Sequence, residues 1–301
     1  MKTAQAGNSS LLDAEMLQQL QFLSIRSRGL VEGAMTGSHR SPFKGLSTEF
    51  ADHRQYVKGD DLKRLDWKVY ARSERHYIKQ YEENTNFKVY ILVDRSASMR
   101  FGSGKVTKFE YACKLAAGLA YVVVKQQDSA GLVLFDKQIT DYLPPRGSLM
   151  HLRAMLDAME NSEPGNGTDA GSALHGMAEM IQRRGLIILI SDLLDEPDSV
   201  VKGLVHFRQK RHDVAVLHVL DDAELNFPYS KVSMFRDMET SERLRVSPKD
   251  LKDDYSRELT AFIDRYKKAC FESNVDYVTI NTATPHANFL SSYLNRRGRV
   301  R

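Results

Sequence analysis

The sequence has few cysteines, one tryptophan and little net charge. Its 301 residues include two cysteines, Cys113 and Cys270, and the formal net charge is +4. Two cysteines far apart favour free thiols in a reducing compartment over a disulfide framework. A small, evenly spread charge argues against a nucleic-acid partner and against a polybasic membrane anchor. The hydrophobic fraction of 42% is instead typical of a globular protein with a real core.

A long apolar run is also missing. The longest, residues 115–124, falls well short of the roughly 20 residues that a membrane-spanning helix needs. Asp13 and Glu15 stand where a signal peptide would need its apolar stretch. We therefore expect no membrane insertion and a cytoplasmic location.

Short apolar runs alternate with helical patterns from residue 77 onward. The predicted strands are Tyr77–Tyr81, Phe87–Val93, Ala130–Phe135, Leu186–Ile190, Val214–Val219 and Tyr277–Ile280. The predicted helices are Lys108–Gln126, Leu149–Met159, Ala170–Arg183, Ser199–Arg211, Leu251–Glu272 and Asn288–Leu294. This alternation predicts an α/β fold with an open, mainly parallel, doubly wound sheet and helices on both faces. Ile139–Leu143 follows too closely for a crossover helix, so we expect an antiparallel edge strand there.

The rest of the chain divides into an N-terminal region and an insertion. Residues 11–30 have apolar positions at helical spacing, and residues 34–75 are rich in charge and turn residues, which indicates an irregular but ordered segment. We predict two parts, residues 1–84 and 85–301, with the first packed on the sheet. An inserted hairpin is expected at about 229–248.

Oxygen-bearing side chains lie in three loops of the predicted fold. Asp94, Ser96 and Ser98 come directly after the first central strand, Thr168 lies in a glycine-containing loop, and Asp192 follows the strand at 186–190. In a sheet of this class, ligands gather beyond the carboxyl ends of the strands. Carboxylates and hydroxyls are hard ligands that suit Mg²⁺ or Mn²⁺. Plain turn and capping chemistry is the alternative, since Asp and Ser are common in turns.

The three parts together resemble the metal-ion-dependent adhesion site of von Willebrand factor type A (vWA) domains, whose pattern is D-x-S-x-S, a later Thr and a later Asp. The resemblance implies that Ser96, Ser98 and Thr168 supply hydroxyls, while Asp94 and Asp192 act directly or through water. It also implies that an Asp or Glu of a protein partner completes the metal shell.

A second resemblance covers the segment before the site. It rests on Glu49-Phe50-Ala51-Asp52-His53-Arg54-Gln55-Tyr56, Gly59-Asp60-Asp61, Arg64-Leu65-Asp66-Trp67 and Ala71-Arg72. This signature is similar to that of the domain-of-unknown-function-58 family, which joins it to a vWA domain. The resemblance implies the short branch of that family, associated with MoxR-type AAA+ ATPases as partner or adaptor. Arg54, Arg64 and Trp67 are then either a structural brace or a partner-binding surface.

Enzymatic alternatives lack essential residues. Gly102-Ser103-Gly104-Lys105 is not a phosphate-binding loop, because the first glycine of that motif would fall at Met99 and Val106 follows the lysine. A phosphatase using Asp94 as nucleophile would need a second Asp where Ser96 stands. We therefore predict a non-enzymatic, metal-dependent protein-interaction module, with a weak metal-dependent phosphohydrolase using Asp94 as the alternative.

Overall fold

The computed structural model describes residues 10–25, 49–56, 66–73, 75–82, 87–165, 167, 169–229, 233–236, 243–246 and 248–299. The chain forms two compact units, one comprising residues 1–28 and 88–301 and the other residues 29–87. The N-terminal helix therefore belongs to the unit that carries the main sheet. The predicted division into residues 1–84 and 85–301 had placed that helix in the first part.

The bounds of the regular elements are as follows. The strands are β1 (Glu49–Gln55), β2 (Tyr77–Glu82), β3 (Lys88–Asp94), β4 (Ser129–Phe135), β5 (Ile139–Arg146), β6 (Leu186–Ser191), β7 (Asp213–Leu220), β8 (Ser233–Arg236), β9 (Arg243–Val246) and β10 (Asp276–Asn281). The helices are α1 (Ala14–Leu20), α2 (Trp67–Ser73), α3 (Lys108–Lys125), α4 (Leu149–Glu160), α5 (Ala170–Met180), α6 (Pro197–Gln209), α7 (Asp222–Asn226), α8 (Pro248–Glu272) and α9 (His286–Arg299).

The main sheet has six strands in the order β10-β7-β6-β3-β4-β5. All neighbouring pairs are parallel except β4 with β5, which is antiparallel. The predicted α/β fold with one antiparallel edge strand is confirmed. Strands β4, β6 and β7 are buried along their whole length, which explains why they read as continuous apolar runs.

The strand order reverses at β3. From β3 the chain continues to β4 on one side and later returns to β6 on the other side. The carboxyl ends of β3 and β6 therefore flank the crevice where sheets of this class bind ligands. Helix α3 follows β3 and begins with a capping box, in which Thr107 accepts from the Glu110 backbone and Glu110 accepts from the Thr107 backbone. The capping box fixes the residue at which α3 begins and therefore the position at which the loop from β3 ends.

The N-terminal helix is shorter than predicted. Helix α1 ends at Leu20 rather than near residue 30. Beyond it, the Gln126 side chain accepts from the backbone N–H of Ile25 at 2.9 Å and donates to the Ile25 carbonyl at 3.0 Å. A tertiary contact with the end of α3 therefore replaces the helical hydrogen bonds that the apolar spacing predicted.

The second unit has more regular structure than predicted. Residues 34–75 were predicted to be irregular, but they contain β1 and α2, and β1 pairs antiparallel with β2 around a bulge between Phe50 and Asp52. Strand β1 has the mostly polar sequence EFADHRQ, so it has no apolar run from which the sequence could predict it.

The remaining predictions concern the hairpin, the cysteines and membrane insertion. The inserted hairpin is confirmed as antiparallel β8 and β9. Cys113 and Cys270 are both free and buried, as predicted. Among the described residues, no helix is both long enough and apolar enough to cross a membrane.

Candidate metal centre

The carboxyl ends of β3 and β6 bring the predicted acidic residues to one edge of the sheet. Asp94 is the last residue of β3, and Asp192 follows β6 directly; both carboxylates are buried. The hydroxyl of Ser191 donates to Asp94 Oδ2 at 2.6 Å and joins the two strand ends. Thr168, the predicted third hydroxyl ligand, lies outside the described residues.

The loop that leads to α5 is bound to both of these strand ends. The backbone N–H of Gly165 donates to the carbonyl of Arg95, which follows β3. The N–H of Ala170 donates to Asp195 Oδ2 at 2.6 Å, in the loop after β6. Hydrogen bonds therefore connect the described parts of all three loops that the sequence singled out.

The Asp94-Ser96-Ser98 turn presents its oxygens together. The backbone N–H of Ser96 donates to Asp94 Oδ1 at 2.8 Å, and the Ser96 and Ser98 hydroxyl oxygens lie 3.0 Å apart. Both serines are buried. An octahedral Mg²⁺ shell with bonds of 2.0–2.1 Å places neighbouring ligand oxygens about 2.9 Å apart. The two hydroxyls hydrogen-bond to each other at this distance, and their spacing and the all-oxygen donor set are compatible with a magnesium ion.

Burial makes the Asp94 carboxylate costly to ionise in the absence of a cation. Burial, and then the charge of Asp192, raises the pKa of Asp94 to about 7, while the hydrogen bonds from Ser191 and Ser96 oppose that rise. A nearby positive charge would reverse this balance and favour the ionised form.

Asp192 has a charged partner that the sequence analysis missed. The Lys108 ammonium lies 2.7 Å from Asp192 Oδ2 and 2.7 Å from Glu224 Oε1, and the lysine side chain has no exposed area. Burial alone would lower the pKa of Lys108, but the two carboxylates raise it above its ordinary value, so the amine stays protonated. Asp192, Lys108 and Glu224 form a buried ion cluster beside the Asp94 turn.

His218 fixes the backbone of Asp192. Burial lowers the pKa of His218 to about 4, so the ring is neutral at pH 7. Its Nε2 lies 2.9 Å from the Asp192 carbonyl and its Nδ1 lies 2.6 Å from the Tyr277 hydroxyl. Because a carbonyl only accepts, Nε2 carries the proton and Nδ1 accepts from Tyr277.

The residues predicted as a brace or partner surface belong to the second unit. Arg54 lies in β1, where the structure describes only the backbone, and Arg64 lies outside the described residues. Trp67 begins α2, is 63% exposed and meets Tyr70 edge-on at 6.1 Å. Asp66 accepts from the Val69 backbone at 3.3 Å, as a residue that starts a helix does.

The described part of the chain has no dense acidic or histidine cluster of the kind that binds metal ions. No group of three or more His, Cys, Asp or Glu residues there is arranged to hold a metal ion. The magnesium fit therefore depends on serine hydroxyls as well as carboxylates, as the adhesion-site resemblance implies.

The fold and this site define an α/β protein with an oxygen-rich centre at the switch point of its sheet. The chain belongs to the family described as "Protein of unknown function DUF58", whose model matches residues 52–262. The uncharacterized protein Rv1480 of Mycobacterium tuberculosis is 26% identical over 254 residues, which are 83% of this chain and 79% of that protein.

Two solved structures are similar to this chain at low identity. The conserved hypothetical protein BatB from Bacteroides thetaiotaomicron is 18% identical with a TM-score of 0.49, covering 71% of this chain and 99% of BatB. The VWA domain of SpRpn10 is 13% identical with a TM-score of 0.40, covering 72% of this chain and 97% of that domain.

Proposed function

We propose that this protein is a non-enzymatic, divalent-metal-dependent protein-interaction module that serves as adaptor or partner of a MoxR-type AAA+ ATPase. The observation that carries the proposal is the pair of buried serine hydroxyls 3.0 Å apart beside the Asp94 carboxylate, at the switch point of the sheet. The association of the resembling family branch with MoxR-type ATPases supports the choice of partner.

The chemistry of the site favours an acidic partner group. When bound, Mg²⁺ supplies a positive centre that prefers carboxylate oxygen. Asp94, Ser96 and Ser98 offer one carboxylate and two neutral hydroxyls, so this turn neutralises only part of a divalent charge. An Asp or Glu of the partner has both the charge and the hardness to complete the shell.

The surroundings of the site also suit such a partner. The loop between β3 and α3 carries Arg95, Arg100 and Lys105, of which the last two are exposed. Leu194, two residues after Asp192, is 44% exposed and offers an apolar contact beside the charged centre. Basic neighbours are complementary to an acidic partner group, and an exposed apolar side chain adds contact area to an interface.

The enzymatic alternative finds less support in the site. A phosphohydrolase would use an Asp94 carboxylate oxygen as nucleophile and would need a general acid close to it. Ser96 stands where a general acid would be needed, and a serine hydroxyl cannot protonate a leaving group in that role. Release of phosphate from phosphomonoesters that stops in Asp94→Asn would overturn the non-enzymatic proposal.

Capture of a purified MoxR-type ATPase from the same organism by the immobilised full chain tests the proposal. We expect capture in millimolar Mg²⁺, loss of capture in EDTA, and an equal loss in the Ser96→Ala/Ser98→Ala variant. The matched control is Ser172→Ala, an exposed serine on α5, which should bind like the wild type.

Two outcomes of this experiment contradict the proposal. Loss of capture at high salt but not in EDTA would indicate simple charge attraction. Capture that persists both in EDTA and in the double serine variant would exclude the metal site as the interface and direct attention to Arg54, Arg64 and Trp67.

A further inference from the structure

The ammonium group of Lys108 is buried within the unit that carries the main sheet. This lysine is the first residue of α3, directly after the Thr107 cap, and its side chain has no exposed area. Lysine is almost never fully buried unless it is paired. Here one ammonium faces two carboxylates, Asp192 and Glu224, at 2.7 Å each, and lies 5.8 Å from the centre of the Phe101 ring.

The contacts of Asp192 differ in kind from those of Asp94. Asp192 Oδ2 accepts from the Lys108 ammonium, and Oδ1 accepts weakly from the Leu194 backbone at 3.3 Å. Among the described residues, the Ser96 N–H and the Ser191 hydroxyl donate to Asp94, and both donors are uncharged. A cation can therefore approach Asp94 without meeting another positive charge, whereas a cation on Asp192 Oδ2 would meet the ammonium.

The Lys108 ammonium also connects the site to helix α7. Glu224 lies in α7, after β7, and its other carboxylate oxygen accepts from the Asp221 backbone at 2.7 Å as part of the capping box of that helix. Lys108 thus holds the Asp192 side chain toward α7. Removing the ammonium would leave Asp192 with its negative charge uncompensated next to the Asp94 turn.

We propose that Lys108 is a positioning residue of the metal site: it binds Asp192 as an internal counter-ion, keeps that carboxylate from ligating the divalent ion directly, and thereby keeps cation affinity low. This inference rests on the proposed metal site. It assigns direct ligation to Asp94, Ser96 and Ser98 and an indirect role to Asp192. It also explains why a partner carboxylate is needed to complete the shell, since Asp192 is already paired.

Magnesium titration of the full chain by calorimetry tests the inference. Lys108→Met removes the ammonium and keeps the four-atom unbranched stem of the side chain. Asp192 is then released, and the Mg²⁺ dissociation constant should fall about tenfold. Lys202→Met is the matched control, because Lys202 is an exposed lysine on α6; the Mg²⁺ dissociation constant of this variant should stay within about twofold of the wild-type value.

A second pair of variants keeps the test valid if Lys108→Met does not fold. Glu224→Gln removes the competing carboxylate, so Lys108 pairs with Asp192 alone and Mg²⁺ binding should weaken. Lys108→Met/Glu224→Gln avoids leaving two buried carboxylates without a counter-ion, and relative to Glu224→Gln its affinity should again rise about tenfold. Structural damage would lower the affinity, so an increase distinguishes positioning from a merely structural role.

The outcomes separate this inference from the proposed function. Unchanged or weaker Mg²⁺ binding on loss of Lys108, in either background, would overturn the inference while leaving a wild-type metal site intact. No binding by the wild type but binding by a Lys108→Met variant would support the inference and contradict the proposed function. No binding by any of these proteins would overturn both.

Discussion

Arg297 is a buried charge near the end of the last helix. Its guanidinium has no exposed area and pairs with Asp213 at 2.5 Å and Asp276 at 2.9 Å, which connects α9 to β7 and β10. Because removing one partner of a buried ion pair leaves uncompensated charge, Arg297→Met should lower the free energy of unfolding by about 3–5 kcal/mol. Urea denaturation measures this loss.

The neighbouring arginine provides the control. Arg296 is exposed on the same helix, so Arg296→Met should change the free energy of unfolding by less than about 0.5 kcal/mol. Equal effects of the two substitutions would contradict the structural role assigned to Arg297.

The burial of the two cysteines leads to a prediction about the reactivity of their thiols. Burial raises the pKa of both the Cys113 and the Cys270 thiol to about 12. Because the thiolate is the reactive species, a disulfide reagent at pH 8 should react slowly with the native protein and rapidly, with both thiols, after unfolding without reductant. Fewer than two thiols in the unfolded, unreduced protein would contradict the free pair.

For individual site residues, the sequence predicted contacts within one turn but not contacts between distant parts of the chain. Asp94, Ser96 and Ser98 share one turn, so their proximity could be read from their spacing. Lys108 is 84 residues from Asp192 and 116 from Glu224, and no sequence pattern links those positions. The ion cluster of Asp192, Lys108 and Glu224 could therefore be recognised only from the structure.

The capping box of α3 supports a prediction about a single element. The Thr107 hydroxyl accepts from the Glu110 backbone at 3.1 Å, and Glu110 Oε2 accepts from the Thr107 backbone at 2.8 Å. Thr107→Ala should lower the free energy of unfolding by about 1 kcal/mol, because the first turn loses an acceptor. Thr107→Ser keeps the hydroxyl and should retain most of the stability in the same denaturation measurement.

Among the strands, a continuous apolar run made an element easy to predict. Strand β6 is buried at every position and reads as the apolar run LIILIS, so its type and place were clear from sequence. Among the described strands β1 pairs with β2, and its sequence EFADHRQ contains no continuous apolar run. Helix α1 was overestimated because Gln126 binds the backbone of Ile25, a contact 101 residues away.

For the molecule as a whole, we expect metal binding to add little to the free energy of unfolding. The described site offers two carboxylates, and one of them is already paired with Lys108. We expect a Mg²⁺ dissociation constant on the order of millimolar. At ten times that concentration the gain in the free energy of unfolding should be about 1.4 kcal/mol, measurable as a small rise in Tm. A gain several times larger would indicate a dedicated high-affinity site.

The central claim is that the Asp94 turn binds a divalent cation. Calorimetric titration with Mg²⁺, repeated by Mn²⁺ relaxation, tests it most directly on the wild type, Asp94→Asn and Asp169→Asn. Asp169 is the exposed cap of α5 and accepts from the Ser172 backbone at 3.1 Å; Asn caps helices equally well, which makes this a matched control. We expect saturable single-site binding by the wild type and by Asp169→Asn. Asp94→Asn should not bind the cation, and its thermal unfolding should match that of the wild type. The same isotherm in folded Asp94→Asn, or no binding by the wild type, would contradict the claim.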